Sequence, residues 1–323
     1  MNVKLFFLLC CLLCTAHLFA QTHTTEAGLQ TDDDSYLLQG SDRYYTDGTF
    51  LYYRHALKIK NSDTAFLRNK VLGFELGQKL FTPLSGTIAI NGVDQPKLID
   101  RPFAAYLYIG STLNFLFKNE STLKIGAQVG VVGPAALGKE AQDFIHDNFG
   151  FYHPSGWEYQ IANNFEINLS AEYNRLIARA AWIDASVSGY LDLGNGFTGA
   201  GLGPLVRIGN FNQLFNSVST QSTAIQNKVQ ALHNHELFFY YKPLFNYVAY
   251  DATIQGGLFN SNNQNSQQIT LDKEPFVFSQ EFGLALTLNR FVMNLAVITQ
   301  TKTVKEMTLP EAWGSAMVLY RFR

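Results

Sequence analysis

The strongest signal along the chain is a two-residue alternation. In 165–173 (Phe-Glu-Ile-Asn-Leu-Ser-Ala-Glu-Tyr) the apolar residues take one face and Glu166, Asn168, Ser170 and Glu172 the other. The same alternation runs through 181–188, with Trp182 as the exception, through 282–288, and through 316–322. A period of two is the signature of a β-strand with one buried face. Two all-β architectures share it: a secreted β-sandwich and a membrane β-barrel. Two features favour the barrel. Strands continue to the end of the chain with no second domain boundary. Carboxylates also recur on the inward face, which a dry sandwich core would not accept. The aromatic cluster Phe238-Phe239-Tyr240-Tyr241 suits an interfacial girdle.

One stretch breaks the rhythm. Gly133-Pro134-Ala135-Ala136-Leu137-Gly138-Lys139-Glu140-Ala141-Gln142-Asp143-Phe144-Ile145-His146 reads as helix, set between strand-like segments. Proline tolerates the first helical position because its missing N–H has no partner there. A helix is therefore predicted over 135–149. Gln142 and His146, four residues apart, stack on one of its faces. Leu137, Ala141 and Phe144 form a separate apolar stripe, expected to dock the helix. Two further segments read as loops: the Asn/Gln/Ser-rich 260–268, and 219–235 with some helix.

Composition restricts where such a barrel could reside. Lys4 followed by an apolar run over 5–13, with Ala20 before Gln21, reads as a secretory signal peptide. The expected organisation is a removed segment, 1–20, and one barrel domain, 21–323. Cys10, Cys11 and Cys14 are the three cysteines of the chain and fall in the removed segment, which excludes disulfides and thiolate-bound metals. The context of Cys14, followed by Thr15, disfavours lipidation. A formal net charge of −2 with no basic block excludes nucleic acid as a partner. After residue 20 no apolar run approaches the ~20 residues of a membrane helix.

Several blocks together resemble the outer-membrane lipid A 3′-O-deacylases. They are Asp33-Asp34-Ser35-Tyr36; Asp42-Arg43-Tyr44-Tyr45-Thr46-Asp47-Gly48; Asp100-Arg101-Pro102-Phe103-Ala104-Ala105; Val132-Gly133-Pro134; Gln142 with His146; and Gly156-Trp157-Glu158-Tyr159-Gln160. They occur in the family's order. The resemblance implies an all-β, transmembrane antiparallel barrel of about twelve strands with one extracellular-side loop helix, in the outer membrane of a Gram-negative bacterium. It implies an active site near the outer surface, between the wall and that helix. It also implies a calcium ion that polarises the ester carbonyl and a histidine that activates water. The chain departs from the family at Asp33 and Asp47, where asparagine is usual, and at Phe103 and Ala105, where tyrosine and glycine are usual.

Carried onto this chain, His146 is the general base and Gln142 orients the ring or the water; by spacing alone the pair could equally be a solvated helix face. Asp33 and Asp34 are the calcium ligands, with Thr46 across the first hairpin, since hard cations prefer oxygen donors. The bland alternative is a solvated acidic turn. Arg101 is a candidate for a glucosamine phosphate or the acyl carbonyl, or else pairs with Asp100. Trp157 reads as packing. The expected function is calcium-dependent removal of an acyl or acyloxyacyl chain from the 3′ position of lipid A, with lipopolysaccharide and membrane lipid as partners. The rivals are a serine-type acyl hydrolase, for which no Gly-x-Ser-x-Gly elbow exists, and a small porin or structural barrel.

Overall fold

A computed structural model describes residues 23–38, 42–60, 62–226, 230–259 and 267–322. The expected signal peptide, 1–20, lies outside the described residues, as does most of 260–268.

Twelve strands close into one barrel: β1 (Thr25–Asp33), β2 (Tyr44–Ala56), β3 (Leu67–Thr82), β4 (Ala104–Phe117), β5 (Ser121–Val132), β6 (Asn164–Arg179), β7 (Ile183–Gly194), β8 (Phe197–Asn210), β9 (Glu236–Asp251), β10 (Phe276–Leu288), β11 (Phe291–Gln300) and β12 (Glu311–Phe322). Every neighbour is antiparallel and sequential. The ring is sealed by β1 against β12, in register from Thr25↔Phe322 to Asp33↔Gly314. Closure leaves no edge strand, the condition for crossing a bilayer with strands. This excludes the sandwich.

The alternation places the side chains as expected. On β6, Phe165, Ile167 and Leu169 are exposed on the outer surface, whereas Glu166 and Asn168 are buried in the lumen. Both termini of the barrel and the short turns at 118–120, 180–182 and 289–290 share one end. Long connections at 83–103, 133–163 and 252–275 lie at the other, which short-turn asymmetry marks as the extracellular end.

The lumen is not an open pipe. Segment 211–226, from the β8–β9 connection, folds into the inner end through two 3₁₀ turns, Leu214–Asn216 and Val218–Thr220. Lumen-facing side chains of several strands hold it. Asn69 donates to the Ala224 carbonyl at 2.9 Å, Asn114 to that of Thr220 at 2.8 Å, and Thr223 bonds Glu26. Arg207 binds both carboxylate oxygens of Asp184, at 2.9 and 2.6 Å, and also Ser217. These contacts satisfy polar groups that burial would otherwise penalise by ~1–3 kcal/mol each.

The loop helix departs from its sequence reading in two ways. Pro134 opens a 3₁₀ turn, Pro134–Ala136, and not the helix itself. Leu137 then adopts a left-handed conformation, φ 58°, and α1 spans Gly138–Phe149. Of the predicted apolar stripe only Ala141 docks, packing against the cluster of Leu80, Phe103, Ala105, Ala136 and Trp157. Leu137 and Phe144 are 52% and 69% exposed, and the buried positions are Gly138, Gln142 and His146. The polar pair is the face that packs.

Candidate active site

Strand parity decides which side of the wall the site occupies. On β1, Asp32 points into the lumen, where it accepts from Tyr45 Oη at 2.9 Å and Ser315 Oγ at 2.7 Å. Asp33, the next residue, therefore points outward, in register with Asp47 on β2. Its Oδ1 accepts from the Ser35 N–H at 2.7 Å and so caps the 3₁₀ turn Asp34–Leu37. Asp34 is buried in this turn and accepts from the Arg43 N–H at 2.6 Å. A bulge between Tyr45 and Asp47 accommodates Thr46, whose hydroxyl lies 2.6 Å from that of Thr82 on β3.

The helix is clamped onto the outside of this wall. Gln78 of β3 donates to the Ala136 carbonyl at 2.7 Å. Gly138 seats against β4: a Cβ there would lie 2.4 Å from Ala105 Cβ and 2.7 Å from the Trp157 ring, so only glycine permits this approach. Ala105, Ala136, Leu80, Phe103 and Trp157 form the apolar patch underneath. From this seat α1 extends toward the β1–β2 loop, where Asp42 meets it.

Asp42 is the hub of the site. Its Oδ2 lies 2.8 Å from His146 Nε2 and accepts from Gln142 Nε2 at 2.6 Å. Gln142 Oε1 in turn accepts from the Trp157 indole N–H at 2.7 Å. His146 Nδ1 bonds the Tyr152 carbonyl, and its ring meets those of Phe151 and Tyr152 edge-to-face at 5.5 and 4.8 Å. A carbonyl only accepts, so Nδ1 carries a proton. In a neutral ring Nε2 then holds the lone pair, which becomes available only when Asp42 Oδ2 moves off it. Gln142 reaches the histidine through Asp42, by hydrogen bonds to the same carboxylate.

The acidic residues crowd together. Burial pushes the Asp34 carboxyl up to about 8, against the lowering effect of the Arg43 N–H and with help from the charges of Asp42 and Asp33. Burial, followed by the charge of Asp42, likewise raises the Tyr152 phenol above its ordinary value. Among the described residues, Asp33, Asp34 and Asp47 have no ion-pair partner within 4 Å. The donors are all oxygen, the set a hard cation selects. Among the described residues no three His, Cys, Asp or Glu side chains converge as a metal cage. A cation here would therefore depend on hydroxyl, backbone or water oxygens beside Asp33 and Asp34.

Thus Gln142 and His146 come together, with Asp33, Asp34 and Thr46 at the adjacent rim of the wall. Arg101 does not join them. It is buried, its guanidinium 3.9 Å from the Phe81 ring centroid on the lumen side, and it donates to Pro102 O at 3.1 Å and Thr253 Oγ1 at 3.1 Å. Its guanidinium donors hold two loops together, apart from the Asp42–His146 cluster. Nor does it pair with Asp100, whose oxygens accept from Tyr44 Oη and the Leu84 N–H. Sequence reasoning gave no role to Asp42 or Tyr152. The one available signal was the position of Asp42 at the head of the second conserved-looking block of the resemblance.

A family model described as outer membrane protein LpxR matches residues 5–322. The solved structure of LpxR from Salmonella typhimurium matches with a TM-score of 0.71 at 19% identity, covering 92% of this chain and 100% of that one. The beta domain of the Bordetella autotransporter BrkA matches with a TM-score of 0.46 at 8% identity, over 94% and 100% of the two chains. The first likeness shows a shared fold; the second is too remote to bear on the site. No curated protein matches the sequence.

Proposed function

The chain belongs to the LpxR family of outer-membrane barrels, and we propose that it is a lipid A deacylase that hydrolyses a 3′-linked acyl ester using water activated by His146. One observation carries this reading. The Asp42–His146–Gln142 cluster lies under a helix clamped to the outer surface of β3 and β4, on the side of the wall that faces the outer leaflet and not the lumen.

His146 acts through Nε2, because the Tyr152 carbonyl fixes the proton on Nδ1. In the working state a water takes the place of Asp42 Oδ2 at Nε2. Nε2 removes its proton as the water oxygen attacks the ester carbonyl carbon. The same proton passes to the departing sugar oxygen as the acyl–oxygen bond breaks, giving a free fatty acid and a hydroxyl. Gln142, anchored by Trp157, holds Asp42 beside the ring. A calcium ion held by Asp33, Asp34 and Thr46 would supply Lewis-acid polarisation of the carbonyl. Asp33, in place of the usual asparagine, keeps the oxygen donor and adds a charge.

The serine rival finds no support in the contacts: the ring nitrogens of His146 meet Asp42 and Tyr152, and neither meets a serine hydroxyl. Segment 211–226 across the lumen weighs against an open pore. Mass spectrometry of lipid A from cells with and without the protein, calcium present, tests the function. Loss of one 3′ acyl or acyloxyacyl chain is expected, and an unchanged lipid A profile would refute it.

A further inference from the structure

α1 has three faces, and only two are accounted for. Gln142 and His146 face the wall. About 60° round the helix from them, at 100° per residue, Lys139 and Asp143 form a surface ion pair at 2.8 Å. On the remaining side lie Leu137, just before the helix, and Phe144, while Ala141 turns toward the wall and packs against the cluster around Trp157. Leu137 and Phe144 are exposed although both are large and apolar. Glu140 and Asn148 flank Phe144.

An apolar stripe turned away from the protein is costly beside water and favourable beside hydrocarbon. Its position shows which it meets. Gln78 donates to the carbonyls of Ala136 and Leu137, at 2.7 and 3.4 Å, and so holds the start of the stripe against β3. Two residues further toward the inner end on the same outward face is Leu76, opposite Ile109 of β4 in the register. Ile109 is in turn opposite Val129 of β5. All three are exposed and belong to the apolar belt of the barrel. The start of the stripe, at Leu137, thus adjoins that belt. A helix with one apolar flank, one charged flank and polar residues bracketing the apolar flank is built to lie at a membrane interface.

We propose that the acyl layer of the outer leaflet covers Leu137 and Phe144, so that α1 rides in the interface with its Gln142–His146 face held at the depth of ester groups. The contact itself requires only the outer-membrane location. The depth statement also rests on the deacylase reading.

Tryptophan fluorescence tests it. Phe144→Trp and, as a contrast, Lys139→Trp are placed in a Trp182→Phe background, because Trp182 is itself exposed. Each protein is refolded into phospholipid vesicles whose acyl chains carry bromine at a shallow or a deep position. After subtraction of the background protein, Phe144→Trp should be quenched at least twofold by shallow bromines and less by deep ones. Lys139→Trp should respond to aqueous iodide and not to brominated chains. Absence of lipid quenching at position 144 would overturn the proposal. Quenching confined to brominated chains of an added lipid A glycolipid would also overturn it, assigning the stripe to the substrate. So would shielding from both quenchers that depends on protein concentration, which would indicate a second copy of the chain. None of these readouts needs catalysis, so a failure of the deacylase reading would show separately, as unchanged lipid A beside an intact quenching pattern.

Discussion

Asp42 Oδ2 lies 2.8 Å from His146 Nε2, across 104 residues of sequence, and the same oxygen accepts from Gln142. This contact ties the β1–β2 loop to the loop helix and sets the orientation of the imidazole. It also occupies the nitrogen that the proposed mechanism needs. Asp42 therefore both positions the ring and has to yield its place to water.

Asp42→Asn follows from this relationship. The amide preserves size but cannot stabilise an imidazolium as a carboxylate does. Turnover of lipid A should fall by roughly 10²-fold, within the range for disrupted general-base catalysis, with heat-modifiable mobility of the folded barrel unchanged. Gln142→Ala should lose less, because Gln142 acts through Asp42. Wild-type turnover in Asp42→Asn would remove Asp42 from the mechanism.

The cation reading makes a separate prediction. Asp34→Ala should abolish activity, and calcium should restore chelator-treated wild type but not the variant. Asp33→Asn should be tolerated if the position contributes an oxygen and not its charge. Full activity after exhaustive chelation would exclude the ion.

Asp34 also predicts a pH dependence of stability. Its folded value, about 8, lies above the ordinary carboxylate value. The folded state therefore favours the protonated form, and its stability falls as pH rises from about 4 towards about 8. Cation-free protein should show a decreasing thermal midpoint over that window. Asp34→Asn, which cannot ionise, should flatten the dependence, and an unchanged slope in the variant would assign it to other groups.

The barrel was legible in the sequence because strand periodicity is strict: Glu166 and Asn168 turn inward and Phe165 and Ile167 outward with no tertiary information needed. The Gln142–His146 pair was legible for the same reason, through helical spacing. The face it uses was not. Amphipathic reasoning assumes water outside, so Leu137 and Phe144 were expected to pack inward, whereas outside this wall the solvent is hydrocarbon. Asp42 was illegible because its role depends on contacts made from another loop, and a lone loop carboxylate resembles any solvated one. The partners of Arg101 were not legible, because one of them, Thr253, lies on another loop 152 residues away. Segment 219–235 reads in sequence as a polar loop with some helix; its place in the lumen, where Thr223 and the carbonyls of Thr220 and Ala224 bond to β1, β4 and β3, was not legible.

The most direct test of the account is His146→Ala, assayed by mass spectrometry of lipid A from cells producing equal amounts of folded wild type or variant. General-base catalysis contributes roughly 10²–10⁴-fold, so the account predicts a 3′-deacylated species with wild type and virtually none with the variant. Serine-directed fluorophosphonates should leave wild type active. Deacylation by His146→Ala at the wild-type rate, or a trapped acyl-serine intermediate, would contradict it.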